Sequence, residues 1–171
     1  VGNITIGGAG KTPTVIKIRQ ILSNHFKNIF VLTRGYKGVK KGPLIVKRTS
    51  TIFEVGDESL LHFEYGPTCV SKNKYLGAKL CESNGCNLII MDDGLQSIDV
   101  KKNCKILVID GNYGFGNQKI FPAGPLRESI KECVERSDIV LVIGNIKFIK
   151  KFKIIPKEKV FQAKKEIIFD N

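Results

Sequence analysis

Long apolar runs are missing. The longest, such as Leu88 to Met91 and Ile139 to Ile143, fall far short of the roughly 20 residues that cross a bilayer. No signal peptide is visible, because the chain opens on Val1 inside a strand-like run. Methionine occurs once, at Met91. With no initiator and a strand already under way at Val1–Ile6, the expectation is a chain lacking its N-terminal part, with any upstream membrane anchor out of view. The cysteines, Cys69, Cys81, Cys86, Cys104 and Cys133, are odd in number, and no pair has C-x-x-C spacing. That pattern excludes a disulfide framework and a zinc site and suits a reducing cytosol. Several of them sit in or beside apolar segments, where free cysteine behaves as a small hydrophobe. No nucleic-acid motif is present, and the 4 Tyr and 10 Phe form no basic-aromatic stripe, which argues against nucleic acid as a partner. The guanine-reading Asn-Lys-x-Asp motif is absent too, since Ile143-Gly144-Asn145-Ile146-Lys147 does not supply it. No internal repeat or low-complexity stretch occurs.

The composition that remains is that of an ordinary globular protein, 42% apolar and 26% charged over 171 residues. That length allows one compact domain with a sizeable core, or one domain and part of a second. Net charge is +12, carried mostly by lysine. Such a balance attracts phosphorylated substrates or an acidic membrane face, and it also fits a lysine-rich solvated surface with no partner. Strand-like runs at Val1–Ile6, Ile29–Thr33, Leu44–Lys47, Thr68–Ser71, Asn87–Met91, Lys105–Ile109 and Ile139–Ile143 alternate with helical patterns at Lys11–His25, Asp57–Tyr65, Lys72–Ser83 and Leu126–Arg136. In the first helical pattern Val15, Ile18, Ile21 and Leu22 share a face. Short apolar strands without in–out alternation, alternating with helices, predict an α/β fold with a mostly parallel sheet flanked by helices. Residues 1–145 read as one core. From residue 146 the texture turns lysine-dense, Pro156 interrupts it and Lys159–Ala163 looks like another strand, so residues 146–171 read as the start of a second, smaller domain.

The strongest motif is Thr5-Ile6-Gly7-Gly8-Ala9-Gly10-Lys11-Thr12. It matches G-x-x-x-x-G-K-[ST] except at Thr5, and it lies between a strand and a helix. This makes the core P-loop NTPase-like. Small residues at Gly7, Gly8, Ala9 and Gly10 let main-chain N–H groups curl around phosphate oxygens, and the helix N-terminus adds partial positive charge. Lys11 suits the β- and γ-phosphates of ATP and the Thr12 hydroxyl suits Mg²⁺. Pro13 is tolerated in a first helical turn, which has no use for its N–H. Counted from Gly8, the third glycine of a dinucleotide fingerprint falls on Pro13, which argues against that fold.

Such a loop needs a carboxylate at the end of a neighbouring strand. Asp92 and Asp93, after four apolar residues and before Gly94, supply two; Asp110, before Gly111, is a competitor. Two adjacent acids repel unless a cation sits there, which favours the doublet, whereas Asp110 also reads as a turn former. In Gly56-Asp57-Glu58 the acids either cap the helix that follows or make Asp57 the base that takes a hydroxyl proton.

These pieces in this order resemble the lipid A 4′-kinase (tetraacyldisaccharide 4′-kinase) family. The resemblance rests on Val1-Gly2-Asn3-Ile4-Thr5-Ile6-Gly7-Gly8-Ala9-Gly10-Lys11-Thr12-Pro13, Thr33-Arg34-Gly35-Tyr36, Val55-Gly56-Asp57-Glu58, Asp92-Asp93-Gly94-Leu95-Gln96, Phe115-Gly116-Asn117 and Pro122-Ala123-Gly124-Pro125-Leu126-Arg127-Glu128. It implies ATP- and Mg²⁺-dependent phosphorylation of the 4′-hydroxyl of a tetraacylated disaccharide 1-phosphate. It also implies a lipid-linked substrate met at the cytoplasmic face of an anionic inner membrane, peripheral attachment there, and no obligate protein partner. By the same resemblance Asp57 is the catalytic base, Thr12, Asp92, Asp93 and Glu128 lie on the metal side, and Arg34, Tyr36, Glu58 and Gln96 are candidates for substrate contact.

The sequence departs from the family pattern at Ser59 (proline expected), Ser97 (histidine expected) and Lys74 (arginine expected). The last change gives up a bidentate phosphate grip. The family also continues past Asn171, into the rest of a second domain and a histidine that partners the catalytic aspartate; His25 and His62 read as structural. Two other readings stay open: a nucleotide-binding remnant without turnover, and another P-loop ATPase. Finally, Phe148, Ile149, Phe152 and Ile155 share a helical face amid lysines, so this segment is either membrane-facing or ordinary packing.

Overall fold

The computed structural model describes residues 1–147 and 152–166. Its elements gather into two compact units, one of Lys11–Lys102 with Val1, the other of Gly2–Gly10 with Asn103–Asn171. The first unit contains α1 (Lys11–Leu22), β1 (Ile29–Thr33), β2 (Leu44–Ile45), α2 (Ile52–Val55), α3 (Asp57–Glu64), β3 (Thr68–Val70), α4 (Lys74–Ser83) and β4 (Leu88–Met91). Its four strands run in the order β2-β3-β1-β4. Strand β1 is parallel to both β3 and β4, and β2 is antiparallel to β3.

Every residue of β1 is buried, and the period-2 geometry of a strand shows why. Ile29 and Val31 face one side, where Val15, Ile18 and Leu22 of α1 pack with Ile90. Phe30 and Leu32 face the other, with Cys69, Met91 and Cys81 of α4. A strand covered on both faces has no polar side to show, hence the unbroken run Ile-Phe-Val-Leu. Arg19, 6% exposed, fastens the end of α1 to β1 and α3 by donating to the carbonyls of Ile29 at 2.7 Å and His62 at 3.4 Å.

The second unit holds β5 (Ile106–Asp110), α5 (Ile130–Glu135), β6 (Ile139–Ile143) and β7 (Val160–Ala163). The strands form an all-parallel sheet in the order β5-β6-β7. A 3-10 turn, Lys157–Lys159, leads into β7. The expected boundary at 145/146 differs from the division at 102/103 between the compact units, and β7 hydrogen-bonds to β6 within the second.

Several expected elements are shorter or different. The strand anticipated at Val1–Ile6 is reduced to isolated bridges, Gly2 to Leu107 and Thr5 to Leu126. Asn3 interrupts it: its buried amide donates to the carbonyls of Thr5 at 2.7 Å and Gly7 at 3.2 Å, folding the chain back on itself. Helix α1 stops at Leu22, and Ile21 is 56% exposed rather than on the packed face. The helix expected over Leu126–Arg136 begins only at Ile130, capped by Ser129, because Leu126 is bridged to Thr5 and Ile120. Helix α2 was not anticipated. Residues 148–151 of the amphipathic segment lie outside the described residues. Of the rest, Phe152 meets Phe115 edge to face with centroids 4.9 Å apart and Ile155 is 4% exposed, so these two side chains are packed within the second unit.

Candidate functional site

Most of the chemistry-bearing side chains lie in the first unit, where β1 and β4 end and α1, α3 and α4 begin. Lys11 is the first residue of α1 and Thr12 the second, so both stand at the positive end of the helix. The Lys11 ammonium is 3.6 Å from the Asp93 carboxylate, with side chains 14% and 34% exposed. Asp93 adopts φ +50°, a left-handed conformation that Asp tolerates better than most residues. Leaving β4 in this way puts two neighbouring carboxylates in different surroundings.

Asp92 goes inward. Its Oδ2 is 2.7 Å from Nε2 of His62 on α3, with side chains 3% and 0% exposed. Its main-chain N–H donates to the Leu32 carbonyl, locking the end of β4 to β1. Asp92 Oδ1 and His62 Nδ1 are both buried and have no hydrogen-bond partner among the described residues. An imidazole carrying its proton on Nε2 satisfies this geometry, because Nδ1 then presents only a lone pair and not a buried, unmatched donor.

Lys74 is the third cation or base of this group. It is the first residue of α4, after the Asn73 cap, and is 5% exposed with its ammonium 3.4 Å from the Leu32 carbonyl. Burial pushes its pKa down to about 8, with the negative charges of Asp92 and Asp93 opposing the fall and Arg34 adding to it. Lysine at this position therefore stands among the aspartates as a buried cation.

Asp57 opens α3, preceded by Gly56 at φ +83°. A side chain at Gly56 would run into the Tyr36 carbonyl, so only glycine lets the main chain turn here. The exposed Asp57 carboxylate accepts from the N–H of Glu58 at 2.9 Å, one of the helix's unsatisfied donors. Helix capping and a role as base are both compatible with this position, because the residue is exposed. Glu58 beside it has its carboxyl raised above the ordinary range, first by loss of hydration and then by the charge of Asp92, with Lys11 pulling the other way. Arg34 and Tyr36 are exposed in the turn after β1, and Gln96 is half-buried after β4.

In the second unit the glycine-rich loop is tied down at Ile6, whose N–H donates to the Pro125 carbonyl at 2.7 Å. Gly10 has φ +82°, and a Cβ there would come within 2.6 Å of Ile143 Cδ1. Gly7 is also left-handed, at φ +115°. Glu128 pairs with Arg136 at 2.5 Å. Asp110, the competing carboxylate, accepts from the N–H groups of Asn112 and Tyr113, which makes it a turn former. All five cysteines are free thiols. Among the described residues no cluster of three or more His, Cys, Asp or Glu side chains forms a metal-ligand group, and no helix is long and apolar enough to cross a membrane.

The sequence reading missed two side chains of this arrangement. His62 read as structural, and its helical position gave no hint of Asp92, 30 residues on. Lys74 stood out only as a departure from a family pattern. The asparagine cap just before it, at Asn73, is the one local signal that marks a helix start there.

A glycine-rich loop running into Lys-Thr at the head of a helix, and an aspartate doublet at the end of a parallel strand, define an α/β protein with the P-loop kinase fold. The chain belongs to the tetraacyldisaccharide-1-P 4′-kinase family, whose model matches residues 1–168. It is 43% identical over 145 residues to the tetraacyldisaccharide 4′-kinase of Dinoroseobacter shibae, covering 84% of this chain and 43% of that protein. Against the protein of the same name from Jannaschia sp. it is 44% identical over 145 residues, covering 84% and 44%. Among solved structures it is similar to the crystal structure of the "apo" form of LpxK from Aquifex aeolicus in complex with ATP, with a TM-score of 0.78 and 27% identity over 94% of this chain and 51% of that one. The chain therefore spans about half or less of the length of these relatives.

Proposed function

We propose that this chain carries the nucleotide-binding and catalytic core of a tetraacyldisaccharide 4′-kinase. The reaction moves the γ-phosphate of ATP to the 4′-hydroxyl of a tetraacylated disaccharide 1-phosphate, a step of lipid A biosynthesis. The observation that carries the reading is the Lys11–Asp93 pair at the head of α1, 3.6 Å across, backed by the buried His62–Asp92 pair. It joins a phosphate-binding lysine to the strand-end carboxylate that a P-loop kinase requires. The family and the ATP-bound relative support it.

In this reading Gly7, Gly8, Ala9 and Gly10 turn main-chain N–H groups toward the phosphates, and Lys11 neutralises the β- and γ-phosphates. The residues present also fit Mg²⁺. Asp93 and the Thr12 hydroxyl are hard oxygen donors, and the buried Asp92 Oδ1 lacks a hydrogen-bond partner among the described residues. Glu128 belongs to the metal side by family resemblance. Bound Mg²⁺ would offset charge on the phosphoryl group in transfer. Asp57 accepts the proton of the attacking 4′-hydroxyl, and its exposed carboxylate leaves room for that hydroxyl. Lys74 adds positive charge beside the aspartates. Arg34, Tyr36, Glu58 and Gln96 contact the substrate. The protein meets this lipid-linked substrate as a peripheral protein at the cytoplasmic face of the inner membrane.

Titration of ATP·Mg into the chain and into Lys11→Ala tests the nucleotide site. Binding is expected in the first and loss of at least about tenfold in affinity in the second, as removal of a charged phosphate contact requires. Equal binding removes the assignment. In the whole enzyme Asp57→Asn is expected to keep ATP affinity and to lower kcat about 10²-fold or more, the usual contribution of a general base; an unchanged kcat makes Asp57 a helix cap only.

A further inference from the structure

Large apolar side chains stand in water on one side of the first unit. Tyr36 is 63% exposed, Val39 49%, Ile52 63% and Phe53 73%. Ile52 and Phe53 belong to α2, which buries only Val55 of its four residues, in a core with Val46 and Val70. This exposure is not fraying. The helix carries a complete capping box, in which the Thr51 hydroxyl accepts from the Glu54 N–H and the Glu54 carboxylate accepts from the Thr51 N–H. The loop after β1 is stitched to it: the Val39 N–H donates to the Phe53 carbonyl at 3.0 Å and the Lys40 N–H to the Glu54 carbonyl at 2.9 Å. The main chain of this platform is thus satisfied and held, while its apolar side chains face outward.

Along residues 36–54 the exposed charges are mostly cationic, with the exposed acids Asp57 and Glu58 just beyond Gly56. Lys37, Lys40, Lys41, Lys47 and Arg48 are all exposed. Between residues 36 and 54 Glu54 is the one carboxylate, and it is already paired with Lys40 at 2.7 Å. Exposed apolar side chains on a cation-rich segment match the chemistry of an anionic lipid surface, where apolar groups enter the acyl boundary and ammonium groups stay among the headgroups.

We propose that α2 and the 36–41 loop dock the protein on an anionic bilayer, with Ile52, Phe53 and Val39 as the inserting side chains. Asp57 follows α2 by one residue, Gly56, so docking holds the proposed base at headgroup level. The purpose of the surface rests on the kinase reading, but its test does not.

The test is sedimentation of the chain with phosphatidylcholine vesicles of rising phosphatidylglycerol content. Binding is expected to rise with phosphatidylglycerol and to fall when salt goes from about 0.1 to about 0.5 M. Ile52→Ser with Phe53→Ser is expected to cut the partition coefficient about tenfold or more, from the apolar burial lost. Val39→Ser alone gives a smaller drop in the same direction, and Ile98→Ser, at a residue 94% exposed outside the platform, gives none. Circular dichroism checks that each variant is folded. Wild-type binding that is absent, indifferent to lipid charge, or unchanged by the double substitution overturns the proposal. So does a platform-dependent dimer in sedimentation velocity without vesicle binding. Failure of ATP to bind would sink the kinase reading and leave the vesicle result standing.

Discussion

Replacing His62 by alanine should be among the most damaging single changes in the first unit, although the residue is not proposed to touch nucleotide or substrate. The imidazole and the Asp92 carboxylate are 0% and 3% exposed and 2.7 Å apart. Asp92 Oδ1 already lacks a hydrogen-bond partner among the described residues, so losing the imidazole strips Oδ2 as well. An uncompensated buried charge of this kind costs about 3–5 kcal/mol. At roughly 2–4 °C per kcal/mol for a chain of this size, the melting temperature should fall by about 6–20 °C. Part of any loss is the cavity left by the ring, and a double-mutant cycle separates it. Urea and thermal melts of wild type, His62→Ala, Asp92→Ala and the double variant, at pH 7 without metal, should give a double loss smaller than the sum by about 2 kcal/mol or more. The cavity persists in both arms of the cycle, and the His62–Asp92 hydrogen bond does not. A single-variant loss under about 1 kcal/mol, or additivity within about 0.5 kcal/mol, would refute the argument that this pair is coupled.

Lys74 and Gly56 give two further tests. Burial lowers the Lys74 pKa from 10.5 to about 8, so between these values the unfolded chain binds the proton more than the folded chain does. Stability from this group therefore rises as pH rises from about 8 toward 10.5. Lys74→Met should remove that rise, visible as the difference between the two proteins' urea midpoints at pH 7 and pH 9.5; parallel pH profiles would contradict it. Gly56→Ala forces a side chain into a φ of +83° and against the Tyr36 carbonyl, and should cost about 1–3 kcal/mol in a urea melt; a neutral result would show that the Gly56 turn relaxes freely.

Strand β1 was readable because burial on both faces leaves an unbroken apolar run, Ile29–Leu32, and β6 because its run Ile139–Ile143 is apolar throughout. Their pairing was not, since parallel partners are set by contacts far apart in sequence: Leu32 lies beside both Cys69 and Met91. Local polar chemistry explains the missed elements. Asn3 breaks the first strand by bonding to its own loop, a competition that Asn offers in many contexts and that apolar pattern does not reveal. Helix α2 is one turn long and exposes Ile52 and Phe53, so it has no amphipathic period to find. Its capping box, Thr51-Ile52-Phe53-Glu54, was nevertheless present in the sequence.

The aspartate doublet shows where sequence reasoning about the site reached its limit. Adjacent acids at a strand end argued for a cation there, and both were read as lying on the metal side. The backbone separates them. Asp92, the first residue past β4, still ties its main-chain N–H to the Leu32 carbonyl, and its buried side chain meets His62. One residue later φ becomes +50° and Asp93 faces Lys11. Like charges on neighbouring residues are thus each matched to a different basic partner, one buried and one partly exposed, before any metal is considered. The two pairs differ in solvent access: Lys11 and Asp93 are 14% and 34% exposed, whereas His62 and Asp92 are 0% and 3% exposed. The proposed division of labour follows from that difference in burial. In the proposed function Asp93 would respond to the arrival of nucleotide and Mg²⁺, while Asp92 with His62 holds the end of β4 from which Asp93 turns.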